Sequence, residues 1–242
     1  MCSSDLDIGG VAVLNADDPR VAIMGEGRPE ISRILVGLEN GEIRGENISY
    51  DTSGTKFDVK FGEDVHEFRT KLLGAHNVQN LLLAIGVAQH FEIRPKTMAI
   101  AAKTIEPVEH RLELKKAGEL FIIDDAFNSN PVGAKNAVEI LSQFKDRKRF
   151  IITPGMIELG EIEEEENYKF GEAIGAANLD YVILVGNERS KPIKAGIENI
   201  KVDATNVFVV NSLFEANEIV KKEAEAGDVI LYENDLPDVY NE

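Results

Sequence analysis

Asp124-Asp125-Ala126-Phe127-Asn128-Ser129-Asn130-Pro131 decides how this chain is to be read. An apolar run, Leu120-Phe121-Ile122-Ile123, leads into the two acids, and a helix-like segment from Pro131 to Phe144 follows the polar turn. The spacing predicts a strand, a turn and a helix, with a carboxylate at the carboxyl end of the strand. Open α/β sheets bind ligands at such ends. Downstream the alternation continues through Phe150–Thr153, Glu163–Ala177, Tyr181–Val185, Pro192–Gly196, Val207–Val210, Leu213–Ala224 and Val229–Tyr232. Strands alternating with helices predict a mostly parallel sheet with helices on both faces.

Upstream the rhythm differs. Gly10–Asn15 reads as a buried strand, ended by the turn Ala16-Asp17-Asp18-Pro19, and Val21-Ala22-Ile23 as a short helix or loop. From residue 31 to 73 the apolar period becomes two, with turn signals at Asn40-Gly41, Ser53-Gly54 and Gly62-Glu63-Asp64. Strands Ile43–Tyr50, Lys56–Phe61 and Glu67–Leu72 are expected to pair as hairpins. His76–Phe91 then carries Leu81, Leu82, Ile85 and Ala88 at helical spacing, and a second helix is expected over Pro95–Lys103. Pro107 closes this half, which places a domain boundary near Val108.

Composition sets outer bounds. With 43% hydrophobic and 29% charged residues, the chain has the profile of a globular protein of one or two domains. No apolar run approaches the ~20 residues that span a bilayer, so membrane insertion is not expected. The opening Met1–Leu6 lacks the basic and apolar regions of a signal peptide. The single cysteine, Cys2, cannot form an internal disulfide, which fits a cytoplasmic protein. A formal charge of −17 with no basic stripe argues against a nucleic-acid partner.

Several residues are equipped for binding. Gly74-Ala75-His76-Asn77-Val78-Gln79-Asn80 opens the long helix, with Asn77 and Asn80 three apart on one face. A carboxamide offers the donor and acceptor that match an adenine edge; alternatively Asn77 caps the helix and Asn80 is a solvated polar position. Arg111, just after the boundary, is either a fork for phosphate or ribose or a surface ion pair with Glu109 or Glu113. Asp125 is either an acceptor for both ribose hydroxyls or the N-cap of the helix beyond. Asp124 is expected to be buried in the turn or paired. Asn128 and Asn130 are turn residues, or orient ATP and an incoming amine. The acidic run Glu163–Glu166 reads as a solvated first helical turn.

Taken together, Gly-x-His-Asn-x-x-Asn before an apolar helix and Asp-Asp-x-aromatic-Asn-x-Asn-Pro resemble the Mur ligase family, most nearly the branch that adds D-alanyl-D-alanine. Gly155-Met156-Ile157-Glu158-Leu159-Gly160-Glu161 is similar to the family's Gly-Asp-Met-x-Glu-Leu-Gly-Glu, without its Asp. Asn15-Ala16-Asp17-Asp18-Pro19 matches a family turn of structural role. The resemblance implies a partial central ATPase-type domain over 1–107, with antiparallel hairpins and helices, and a Rossmann-like doubly wound C-terminal domain over 108–242. It implies contacts with ATP through His76, Asn77, Asn80, Arg111 and Asp125, and positioning of substrate by Asn128, Asn130 and Glu158. The implied partners are a UDP-MurNAc-peptide and D-Ala-D-Ala or a similar amine. The implied reaction is an ATP-dependent joining of an acid to an amine with Mg²⁺, in the cytoplasm. A folate-polyglutamate-type ligase, or a non-catalytic nucleotide- or partner-binding subunit, are the rival expectations.

Two departures stand out. The family's phosphate loop, Gly-x-x-x-x-Gly-Lys-Ser/Thr, occurs nowhere in the chain, and in the family the metal ligands also lie upstream of the Asn-Ala-Asp-Asp turn. Near the other end Glu233-Asn234-Asp235 stands where the D-alanyl-D-alanine branch has Lys-Gly-Ser. Without a phosphate cradle, which supplies much of the electrostatic stabilisation in phosphoryl transfer, this chain alone is expected not to turn over ATP. Steady, Mg²⁺- and amine-dependent ADP release by the purified protein is the result that contradicts this.

Overall fold

The computed structural model describes residues 6–127, 129–200 and 206–234. The leader with Cys2, Asn128 and Asp235 lie outside these. The chain divides into two compact units, Met1–Glu106 and Pro107–Glu242.

The first unit is a five-stranded sheet of order β1-β2-β3-β4-β5, formed by Val11–Asn15, Ser32–Gly37, Ile43–Asp51, Gly54–Phe61 and Asp64–Thr70. The hairpins β3–β4 and β4–β5 follow the Ser53-Gly54 and Gly62-Glu63 signals as expected. Asn40-Gly41 behaves differently. It lies between two strands that run parallel, and β2 meets β3 only at Val36↔Ile43 and Gly37↔Arg44. The cause is visible in the turn after β1, where a short helix α1 (Pro19–Ala22) begins. Asp17 accepts the backbone N–H groups of Leu38 (2.6 Å), Asn40 (2.8 Å) and Glu39 (3.2 Å), so the loop winds around one carboxylate rather than folding back. Burial works against that charge, but the three amides outweigh it and lower the Asp17 pKa. A Cβ at Gly37 would sit 2.7 Å from Asp17 Oδ2 and 2.5 Å from the Asn40 carbonyl, so only glycine fits there.

Helix α2 (Ala75–His90) covers this sheet with Val78, Leu81, Leu82 and Ile85, spaced i, i+3, i+4 and i+7. They meet Val36, Ile43, Phe57, Val59 and Phe68, and helix α3 (Pro95–Ala102) adds Met98 and Ala102.

The second unit is a six-stranded sheet of order β10-β9-β8-β11-β7-β6. Its strands are β6 (Glu113–Ala117), β7 (Leu120–Asp125), β8 (Arg149–Thr153), β9 (Tyr181–Val185), β10 (Asn206–Val210) and β11 (Val229–Glu233). All neighbours are parallel except β6 and β7. Helices α4 (Pro131–Ser142), α5 (Glu163–Ala177) and α6 (Lys191–Ile200) pack side by side. Helix α7 (Leu213–Glu223) joins Phe150, Ile152, Ile183 and Ile230 in a separate core cluster. Since side chains alternate along a strand, the fully buried Ile151 and Val182 face the other way, and the sheet is covered on both sides.

Three details correct the sequence reading. Glu113–Ala117 forms an edge strand that was not expected, because one neighbour and one half-covered face suffice at an edge. Asp124 and Asp125 belong to β7 itself, since pairing with Tyr232 and Glu233 of β11 carries the strand through them. Helix α6 extends beyond Pro192–Gly196 at both ends.

Helices α5 and α6 touch through glycines. A Cβ on Gly171 would lie 2.0 Å from the Ile193 carbonyl oxygen, and one on Gly196 would lie 2.1 Å from that of Tyr168. Gly171→Ala must push two backbones apart, so it is expected to destabilise the protein by about 1–3 kcal/mol or more despite its better helix propensity. A lower urea midpoint at unchanged m-value is the measurement that shows it.

Candidate functional site

The acid pair occupies the carboxyl end of β7, beside the segment His110–Leu112. Asp124 accepts from Lys115 Nζ at 2.8 Å and pairs with His110 Nδ1 at 2.9 Å, as expected for the paired member. Its burial raises the pKa, but Lys115 and His110 prevail and lower it. Asp125 Oδ1 accepts the Leu112 backbone N–H at 3.0 Å. Burial lifts the Asp125 pKa to about 6, the Leu112 amide and Arg111 acting against the rise and Asp124 adding to it. Among the described residues nothing hydrogen-bonds Oδ2, which stays available as an acceptor.

Arg111 is exposed and makes neither of the two ion pairs weighed for it. Its guanidinium instead lies over the Phe127 ring, 4.7 Å from the centroid. The backbone around it is left-handed at two non-glycine residues, His110 (φ 60°) and Leu112 (φ 46°). Such strain persists only where the surroundings fix it. Here the Phe127 N–H donates to the His110 carbonyl at 3.2 Å and Asp125 holds the Leu112 N–H. Arg111 and Asp125 are thus brought together by the turn that follows β7.

Asn130, not Asp125, caps α4. Its Oδ1 accepts the Gly133 N–H at 3.0 Å, with Pro131 at the first helical position. Glu158 is exposed in left-handed backbone (φ 63°) after β8, and no hydrogen bond joins it to Asp125 or Arg111. Its loop is held by the buried Asn167, which accepts the Met156 N–H and donates to the Met156 carbonyl, both at 2.8 Å. Asn128 lies outside the described residues.

On the first unit, α2 starts after Gly74 with no side-chain cap. Asn77 donates its amide to the Leu73 carbonyl at 2.8 Å, whereas Asn80 is exposed. His76 is exposed, and desolvation by its surroundings lowers its pKa. Between the two asparagines, Gln79 Nε2 is buried without a partner among the described residues.

Glu233 was not singled out by the sequence as a site residue. It is 1% exposed, opposite Asp125 in the β7–β11 register. Ser129 Oγ donates to Oε1, and Thr153 Oγ1 donates to Oε2 at 2.5 Å. Burial, with the Asp125 charge adding to it against the two hydroxyls, pushes its pKa to about 7. The signal that could have found it is an acid closing the otherwise apolar run Val229-Ile230-Leu231-Tyr232.

Two family models match the chain. One, Mur ligase middle domain, covers residues 3–88, and the other, Mur ligase glutamate ligase domain, covers residues 110–232. The chain belongs to the Mur ligase family. Among curated Mur ligases it is 28% identical over 189 residues to the UDP-N-acetylmuramoyl-tripeptide–D-alanyl-D-alanine ligase of Bacillus subtilis, covering 77% of this chain and 40% of the relative. It is 29% identical over 146 residues to the UDP-N-acetylmuramate–L-alanine ligase of a Hydrogenobaculum species, covering 59% and 32%. The fold is that of solved Mur ligases. MurF from Acinetobacter baumannii superposes with a TM-score of 0.75 at 18% identity, over 96% of this chain and 50% of that one. MurF from Thermotoga maritima, solved in complex with ADP, superposes with 0.73 at 18% identity, over 93% and 50%. The chain therefore spans half or less of the length of these relatives.

The raised acids make a pH prediction. A folded carboxyl with a pKa near 7 keeps its proton where the unfolded chain, near 4.5, has lost it. The folded state then binds more protons than the unfolded one, and stability falls as pH rises from about 4.5 to about 7. A shift of that size corresponds to roughly 3 kcal/mol at about 1.4 kcal/mol per pH unit. Glu233→Gln is expected to flatten that part of the stability–pH curve, measured by urea unfolding at pH 5 and pH 8.

Proposed function

We propose that this chain is the later part of an ATP-dependent peptide-forming ligase of peptidoglycan precursor synthesis. Residues 1–107 would be the end of its central domain and residues 108–242 its C-terminal domain, working in the cytoplasm. The observation that carries this reading is Asp125. Its half-buried carboxyl keeps one oxygen without a partner among the described residues, at the carboxyl end of a parallel strand, with Arg111 held beside it. A ribose with two vicinal hydroxyls suits that acceptor, and the guanidinium suits a phosphate. His76, Asn77 and Asn80 would take the adenine. Of these, Asn77 has its amide nitrogen engaged and its oxygen without a partner among the described residues, while Asn80 stands open to solvent.

In the reaction proposed, ATP phosphorylates the carboxylate of a UDP-MurNAc-tripeptide. The amine of D-Ala-D-Ala attacks the acyl phosphate, and phosphate leaves from a tetrahedral intermediate. This chain's own residues would hold the nucleoside and orient the amine, through Asn130 and Glu158 among the described residues and Asn128 beyond them. Mg²⁺ would offset phosphate charge in such a reaction. Among the described residues no group of three or more His, Cys, Asp or Glu could hold a metal. No described helix is long and apolar enough to cross a membrane.

A second acceptor is favoured by one specific observation. Glu233-Asn234 replaces the Lys-Gly of the D-alanyl-D-alanine branch, and the matched relatives include one named for L-alanine. An amine-dependent ADP-release assay comparing D-Ala-D-Ala with L-alanine, on an enzyme carrying an upstream phosphate loop, separates the two. ADP release with neither amine overturns both.

In that enzyme Asp125→Ala is expected to raise the KM for ATP about tenfold or more, since a charged hydrogen bond contributes roughly 1.5–3 kcal/mol. Arg111→Ala should act in the same direction. Asn80→Ala should narrow the preference for ATP over GTP, and Glu163→Ala should leave the kinetics unchanged. An unaltered nucleotide KM in a folded Asp125→Ala removes Asp125 from the site.

A further inference from the structure

The carboxyl ends of β7, β11 and β8 meet at one dipeptide. Glu233 takes Ser129 of the loop after β7 on one oxygen and Thr153, the last residue of β8, on the other. Thr153 Oγ1 in turn accepts the Gly155 N–H at 2.9 Å. Asn234, in left-handed backbone (φ 67°), donates Nδ2 to the Gly155 carbonyl at 2.5 Å and its own N–H to the Asp125 carbonyl at 3.1 Å. Both loops that border the candidate nucleotide site are therefore fastened to residues 233 and 234.

We propose that Glu233 is a positioning residue: with Asn234 it ties the loop after Asp125 to the loop after β8, and so fixes where the Asp125 carboxylate stands. The inference rests on the reading of Asp125 as the ribose-binding group. Packing alone does not account for a carboxyl here. Val229, Ile230 and Leu231 are buried and apolar, and another apolar side chain would close the strand without desolvating an acid. A fully partnered buried polar group instead specifies one arrangement of the segments that reach it.

The charges around Glu233 are few. From β7 it faces Asp125, behind which stand Asp124 with Lys115 and His110, and Arg111. Among the described residues of β8 and of the loop after β7, only hydroxyls reach it. Tyr232, its neighbour in β11, bonds Asn217 of α7. When Glu233 loses its proton, near pH 7, a second negative charge forms beside Asp125, and an anionic nucleotide is repelled.

The test uses the 242-residue chain with ADP as probe. Hydrogen exchange at the Leu112 amide, which Asp125 holds, reports the position of that carboxylate without any nucleotide. In Glu233→Ala this amide should exchange at least tenfold faster and the Kd for ADP should rise at least fivefold. Glu233→Gln keeps an acceptor for one hydroxyl and a donor for the other, so exchange and Kd should return to within twofold of the parent at pH 6. Between pH 6 and pH 8.5 ADP affinity should fall in the parent and stay level in Glu233→Gln. Parent-like exchange in a folded Glu233→Ala overturns the proposal, and so does a Glu233→Gln profile as steep as the parent's. Should Glu233→Ala not fold, the Glu233→Gln profile decides. Asp125→Ala tells the two readings apart: if it binds ADP like the parent, the ribose assignment fails, and the exchange data alone judge the role of Glu233.

Discussion

The parallel pairing of β11 between β7 and β8 is the constraint on which the second unit depends. It aligns Phe121 with Val229 and Asp125 with Glu233 on one side, and Arg149 with Val229 and Ile152 with Tyr232 on the other. Because parallel registers bring all three strands to an end together, Asp125, Glu233 and Thr153 arrive at the same edge of the sheet. A shift of one residue would send Glu233 to the opposite face, where α7 packs, and leave a carboxyl among apolar side chains. The hydrogen bonds at the strand ends and the core beneath them thus favour the same register.

The electrostatics are local despite the strong overall charge. A formal −17 would suggest a protein that repels any nucleotide. Yet at the carboxyl end of β7 the acids are handled singly. Asp124 is paired with Lys115 and hydrogen-bonded to His110, Glu233 is protonated over part of the neutral range, and Asp125 is stabilised by one amide and Arg111. The cation itself is held over an aromatic ring rather than by a carboxylate, which leaves its charge uncancelled. Burial and neighbours, not net charge, decide what such an edge can bind.

Much of this was legible in the sequence for physical reasons. Parallel strands covered on both faces announce themselves as apolar runs, and Phe150–Thr153, Tyr181–Val185 and Val229–Tyr232 were read that way. Leu81, Leu82 and Ile85 likewise betrayed the buried stripe of α2. What escaped reading was set by partners distant along the chain. Glu113–Ala117 is a strand only because Leu120–Asp124 lies beside it. The Asn40-Gly41 loop follows Asp17, a residue two elements earlier. Glu233 gains its role from Ser129 and Thr153, which no local pattern connects to it. Asn130 shows the opposite case: Asn-Pro before a helix is a local signal, and its Oδ1 caps α4.

The strand order also carries a temporal consequence. Synthesis delivers β7 and β8 long before the strand that separates them, and non-local pairing is the slow part of folding. Strands β8, β9 and β10 with α5 and α6 form a contiguous stretch that can assemble while the chain is still growing. The gap between β7 and β8 must stay open until residues 229–233 arrive to fill it. Asp125 and Glu233 therefore come to face each other only in the last step of the sheet's assembly.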